Sequence, residues 1–280
     1  MPTPRANELL GYPPDARLLI INADDFGMYH AVTAGIIHTL TEGVASSTTL
    51  MVPCPWALHA MDLLRTHPEI PFGVHLTIVT DFDDYRWGPL SPKARVPSLL
   101  DGTGFFHRNE PEQAYLTGLA LDEVALEFRA QIDAVFAAGL QPTHLDFHCL
   151  RDGGRLDIFM MTLDLAREYG LAVRFFERNE DVQGRGLPTN DHLVIDSTRI
   201  ETDGKTDTFV QMLRDLPAGL TEWAVHPALD TVEGRAIDGW LNRRVADHAF
   251  LTSPVARDTI RDEGIILLDF RALQAFWRQA

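Results

Sequence analysis

The chain has 280 residues, of which 45% are hydrophobic, and a net charge of −16. That length allows one large domain or two small ones with a substantial core. The acidity disfavours a nucleic-acid backbone or an anionic membrane surface as partner, and no apolar run approaches the roughly 18 residues of a membrane span.

The first twenty residues, MPTPRANELLGYPPDARLLI, lack an uninterrupted apolar stretch before a small-residue cleavage site, so a cytoplasmic protein is expected. RLLII (17–21) is a short continuous apolar run, the pattern of a strand buried on both faces. HAVTAGIIHTLTEG follows as a helix, with Val32, Ile36, Ile37 and Leu40 on one face and Gly43 as its stop. STTLMVP (47–53) reads as a strand, WALHAMDLLRTHP as a helix ended by Pro68, and FGVHLTI (72–78) as a third strand. Residues 79–118 are irregular and rich in Pro, Gly, Asp and aromatics, and an insertion of that size usually carries function. LDEVALEFRAQIDAVFAAG is an amphipathic helix, THLDFH (143–148) a strand, LDIFMMTLDLAREYG a helix and LAVRFF a strand. HLVID is a further candidate strand, and KTDTFVQMLRDLP is helical. LTEWAVHP is a strand, two helices fill roughly 238–263, and GIILLDF is the last strand before a terminal helix. About eight strands alternating with helices predict a single-domain α/β fold over 1–280, an irregular, TIM-barrel-like (β/α) barrel, with a doubly wound sheet as the alternative. Rossmann and P-loop glycine signatures are absent. Cys54 and Cys149 are too few for a disulfide framework.

In such barrels, reactive side chains project from the carboxyl ends of the strands. Asp24 and Asp25 follow the first strand, His75 lies in the third, His148 ends THLDFH, and His226 ends TEWAVH. Each has an ordinary structural explanation, and either aspartate is also suited to cap a helix starting near Met28. Their coincidence at one rim suits metal-assisted hydrolysis. One carboxylate and two imidazoles leave positions open on a divalent cation. A second carboxylate takes a proton from water, and a separate histidine protonates the leaving group. Asp146, two residues before His148, shares its strand face and is expected to orient a ligand. His30, His38, His59 and His107 fall in helices and loops and read as structural.

The blocks LIINADDFGMYHAVTAGIIHTLTEGVASSTTLMV, FGVHLTI, PTHLDFH, TEWAVHPA and RRVADHAFLTSP…GIILLDFRAL resemble, in order, those of the YdjC-like (ChbG/HpnK) carbohydrate deacetylases. The resemblance implies a distorted (β/α) barrel, one divalent metal ion (zinc or magnesium, with manganese or cobalt alternatives) and removal of an acetyl group from an N-acetylated amino sugar. It implies Asp25, His75 and His148 as metal ligands, Asp24 as base, His226 as acid and Arg174 beside the base. The chain departs from the family where HCLRD replaces a histidine-rich run, which puts Cys149, Leu150, Arg151 and Asp152 at the substrate pocket. Phe26, Tyr85, Trp87 and Arg151 are expected to contact the sugar, with Phe105 a further candidate ring. The expected partners are an N-acetylated sugar and a second copy of the chain in a homodimer, with neither nucleic acid nor membrane. The alternatives are a metal-dependent sugar isomerase or epimerase, a nuclease, and a non-catalytic sugar-binding protein. An isomerase is disfavoured because the two lysines, Lys93 and Lys205, lie in polar, loop-like segments.

Overall fold

A computed structural model describes residues 4–110 and 112–279. The strands are β1 (Arg17–Phe26), β2 (Ser47–Leu50), β3 (Phe72–Leu76), β4 (Val79–Thr80), β5 (His107–Arg108), β6 (His144–Phe147), β7 (Ala172–Val173), β8 (Ile195–Asp196), β9 (Gly219–Val225) and β10 (Ile266–Leu267). Eight of them form one sheet in the order β7-β6-β3-β2-β1-β9-β8, with β10 paired to the start of β1 at Leu18 and Leu19. Every pairing is parallel, so each connection crosses over and packs helices against the sheet. Burial on both faces explains why the strands read as continuous apolar runs. The sheet curls into an irregular (β/α) barrel, and among the described residues β7 and β8 remain its two unpaired ends. Because all strands point the same way, their carboxyl ends share one rim.

The expected helices form at His30–Thr41, Ala57–Thr66, Leu121–Ala137, Leu156–Tyr169, Lys205–Arg214, Leu241–Leu251, Pro254–Asp262 and Phe270–Trp277. Short helices at Ala6–Leu9, Glu180–Gly184 and Val232–Ile237 were not anticipated, since four to six residues leave no periodic signal. Apolar side chains from Ala6 to Trp277 form one buried cluster. No helix among the described residues is long and apolar enough to cross a membrane.

Three local features differ from expectation. β1 runs on through the aspartate pair to Phe26, and the following helix has Tyr29 at its N-cap, so neither aspartate caps it. The 79–118 segment is folded. β4 and β5 pair at Val79↔His107, and Trp87, Val96, Leu99, Phe106 and Leu116 are buried within it. Glu127, on the helix beneath, accepts the Leu90 and Ser91 amides at 3.0 and 2.9 Å. Lys205 is buried at the start of a helix, 2.6 Å from Asp247, rather than lying in a polar loop.

Candidate active site

The aspartate pair owes its arrangement to a bulge. Successive strand side chains normally point to opposite faces. Between Ala23 and Phe26 the register of β1 against β2 shifts, and Asp25 takes a left-handed φ of 75°. Such a backbone costs on the order of 1–3 kcal/mol in a non-glycine residue, and Asp is among the residues that tolerate it best. The bulge re-aims the chain so that both carboxylates turn into the rim of the barrel. Gly27, with φ 90°, completes the reversal.

Asp24 and Asp25 then acquire separate partners. Asp24 is gripped by the Arg174 guanidinium through two 2.8 Å hydrogen bonds and accepts a third from Asn22 at 2.6 Å. Arg174 also donates from Nε to Glu222 at 2.6 Å and lies 2.7 Å from Asp146, although Asp146 Oδ2 is off hydrogen-bond alignment. Burial alone would raise the Asp24 pKa. Arg174 more than offsets it and holds the carboxyl below its usual range. Burial pushes Glu222 up to about 7, although Arg174 opposes the shift.

Asp25 presents Oδ1 to both ligand-type imidazoles, 3.4 Å from His75 Nε2 and 3.2 Å from His148 Nδ1. Its other oxygen accepts from Arg244 at 2.7 Å. Arg244 is in turn fixed by Asp238 at 2.7 Å. Burial opposes ionisation of Asp25, but Arg244 and the two histidines lower its pKa well below the ordinary value. His75 sits opposite Asp146 in the β3–β6 register and meets it through Nδ1 at 2.7 Å. Burial would lower the His75 pKa, yet Asp146 raises it to about 9. His148 is likewise raised well above normal against its burial, chiefly by Asp81 at 3.0 Å from Nε2. The donor atoms of Asp25, His75 and His148 all lie within 4.8 Å of one another. A carboxylate oxygen left free by Arg244, facing two imidazole nitrogens whose rings are oriented from behind by carboxylates, is a donor set that fits a divalent cation.

His226 stands at the exit of β9. Gly35 allows this, because a Cβ there would come within 2.6 Å of Ala228, two residues beyond the histidine. His226 Nδ1 is 3.1 Å from Ser197 Oγ, and the Ser197 hydroxyl donates to Asp247. Asp247 also accepts the His226 amide at 2.9 Å and pairs with Lys205. A hydroxyl that donates to a carboxylate must accept from the imidazole, which places a proton on Nδ1 and leaves Nε2 as the other ring nitrogen.

The two carboxylates, His75, His148, Arg174 and His226 line one cleft of about 980 Å³. Tyr85 and Arg151 also line it. The Tyr85 hydroxyl is tied to Met28 at 2.8 Å, and Arg151 pairs with Glu177 at 2.9 Å over the Phe176 ring. Two of the expected sugar contacts are corrected. Phe26 is wholly buried, and Trp87 is buried with its indole donating to Val79 and its edge against His148, so neither offers a stacking face. Phe105 lies between Arg86 and Lys93 and is not part of the cleft wall. Cys149, with φ 58°, places its sulfur 3.4 Å from His148 Nε2. Asp81, Glu222, Arg244, Asp238, Ser197 and Asp247 were missed from the sequence. Glu222 was detectable as a charge inside an apolar strand. Arg244 and Asp247 were detectable as charges in phase with Leu241 and Leu251 on a helix face.

Fold and site together define an α/β-barrel protein with a carboxylate–imidazole centre at the mouth of the barrel. The chain belongs to the YdjC-like family: residues 18–262 match the family described as YdjC-like protein. A protein named carbohydrate deacetylase from Enterococcus faecalis is 33% identical over 91% of this chain and 97% of its own length. Another of that name, from Thermoanaerobacter pseudethanolicus, is 29% identical over 92% of this chain and its full length. A solved Enterococcus faecalis structure that carries the name cellobiose-phosphate cleavage protein superposes with a TM-score of 0.78. It has 30% identity and covers 92% of this chain and 99% of that one. A CE4-family pseudoenzyme from Bacillus anthracis, 10% identical with a TM-score of 0.51 over 94% of this chain and 67% of that one, shares the fold.

Proposed function

We propose that this protein is a metal-dependent hydrolase that removes the acetyl group from an N-acetylated amino sugar. The observation that carries the reading is the split of the aspartate pair: one carboxylate is shared by two imidazoles, and its neighbour is held by a guanidinium beside them. Asp25, His75 and His148 would hold the cation. Two nitrogens and one oxygen suit zinc, and magnesium, manganese or cobalt is accommodated. Bound there, the cation supplies Lewis acidity toward the acetyl carbonyl and lowers the pKa of water.

The remaining steps belong to the side chains. Asp24, fixed in two directions by Arg174, accepts the proton of the attacking water. The expelled amine is a poor leaving group and must be protonated as the C–N bond breaks. In this reading His226 acts as the doubly protonated imidazolium: it gives the Nε2 proton to the amine and keeps the Nδ1 proton that it donates to Ser197. A purely sugar-binding protein needs neither base nor acid. An isomerase using a catalytic lysine is disfavoured because Lys93 and Lys205 are absent from the cleft wall. The test is an acetate-release screen over N-acetylated mono- and oligosaccharides, with the protein stripped by chelator and reloaded with each metal. Acetate and free amine should appear in equal amounts and only after reloading. Release of neither from any sugar would refute the reading.

A further inference from the structure

Lys205 takes no part in the chemistry above, yet its placement is costly. It is 1% exposed, and lysine is almost never fully buried unless it is paired. It sits in the first turn of the helix Lys205–Arg214, the end at which the helix dipole disfavours a cation. Its ammonium stands 2.6 Å from Asp247 Oδ1 and donates to the Arg243 carbonyl at 3.2 Å. Apolar side chains in place of such a buried pair are often neutral or stabilising, so stability alone does not account for it.

The other oxygen of Asp247 leads to the reacting groups. Oδ2 accepts the His226 amide at 2.9 Å and also the Ser197 hydroxyl. Ser197 Oγ lies 3.1 Å from His226 Nδ1, whereas Asp196 is 3.9 Å from that nitrogen and out of hydrogen-bond range. One carboxylate therefore holds the backbone of His226 directly and its ring through Ser197. The arrangement has a direction. An ionised carboxylate only accepts, so Ser197 gives its hydrogen to Asp247 and keeps a lone pair for His226. A protonated Asp247 could donate to Ser197 and reverse that direction. Burial of an unpaired carboxylate favours the protonated form, and the ammonium on Oδ1 opposes it.

We infer that Lys205 is a positioning residue for His226, acting through Asp247 and Ser197 to keep a hydrogen-bond acceptor against Nδ1. The inference rests on the deacetylase reading for its consequence and on the buried pair for its geometry. An imidazolium has two N–H groups, and each needs an acceptor. Ser197 supplies the one at Nδ1 from inside the protein, which leaves the Nε2 proton for the departing amine. With the direction reversed, Ser197 would turn its hydrogen toward Nδ1, and the doubly protonated ring would meet a donor.

The test reads the ring itself. In the full-length protein carrying isotope-labelled histidine, nitrogen–proton correlation spectra at a pH where the ring is neutral distinguish its two tautomers. The His226 signals are those absent from His226→Gln. Neutral His226 should carry its proton on Nδ1 in the parent. Asp247→Asn keeps the shape of the side chain but offers one oxygen and one NH2 group. Lys205 claims the oxygen, the NH2 group turns to Ser197, and His226 should switch to the Nε2–H tautomer. In that variant kcat for acetate release should fall about tenfold or more, with KM held within about twofold. Adding Lys205→Met frees the amide to turn its oxygen back. The double variant Asp247→Asn/Lys205→Met should therefore regain the parent tautomer and part of kcat. If the pair were only structural, the double variant would be no better than the single one. An Nε2–H tautomer in the parent would overturn the inference, and so would the same tautomer in the single and double variants. Spectra as expected with no acetate released by the parent would overturn the deacetylase reading and leave the role of Lys205 in orienting the ring intact.

Discussion

With no cation bound, neighbouring carboxylates raise the pKa of both ligand histidines, and the protons they favour are what metal loading must displace. His75 is held at about 9 by Asp146, against the effect of burial. At pH 7 such a group is about 99% protonated, two logarithmic steps below its midpoint. His148 is also raised well above its ordinary value, chiefly by Asp81. A divalent cation accepts only neutral imidazole, so its entry at pH 7 should release at least the one proton on His75, with His148 and any ionisation of bound water adding to that figure. Calorimetric titration in buffers of different ionisation enthalpy reads this number directly as a slope. The same groups set a stability profile with a definite sign. Raising an imidazole from 6.5 to about 9 in the fold corresponds to about 3 kcal/mol. For the stripped protein, that contribution is fully present below pH 6.5 and is lost as pH rises through 9. The thermal midpoint of stripped protein should therefore fall across that window, and metal-loaded protein should not follow it. A proton slope near zero, together with a flat midpoint, would refute the placement of His75 and His148 among their carboxylates.

Asp24→Asn should retain the cation while turnover falls by about 10²–10⁴-fold, because an amide cannot take up a proton. Asp25→Asn should instead lose metal, as elemental analysis would show. His226→Ala should slow the N-acetyl sugar by about 10²-fold or more yet spare an activated acetate ester whose leaving group needs no proton, provided the ester is turned over. Equal loss on both substrates would point away from an acid role. Arg174→Met strands three buried carboxylates, Asp24, Asp146 and Glu222. It should cost about 3–5 kcal/mol of stability by chemical denaturation. A loss below 1 kcal/mol would mean that the network is not held by that guanidinium.

Most of the barrel was legible because its elements repeat simple patterns. Strands covered on both faces announce themselves as apolar runs, and the long helices by their periodicity. The aspartate pair and the three strand-end histidines stood out as charges where a strand should end. The bulge at Asp25 left no such trace, because a left-handed aspartate has the same letter as any other. The groups behind the rim were missed for a related reason. Arg244, Asp238 and Asp81 act through long-range pairing that only the curled, folded chain brings about. Phe26 and Trp87 misled because an aromatic in a loop or beside a motif serves equally well as core, and here the packing took both.

The proposal depends most on one location for the cation. Crystals of the parent protein soaked in zinc and measured at the absorption edge would locate it by anomalous scattering. The expected peak lies about 2.0–2.2 Å from Asp25 Oδ1, His75 Nε2 and His148 Nδ1, with Arg244 still on the other Asp25 oxygen. A peak among Asp81, Cys149 and His148 alone, or ligand side chains standing more than about 6 Å apart, would contradict it.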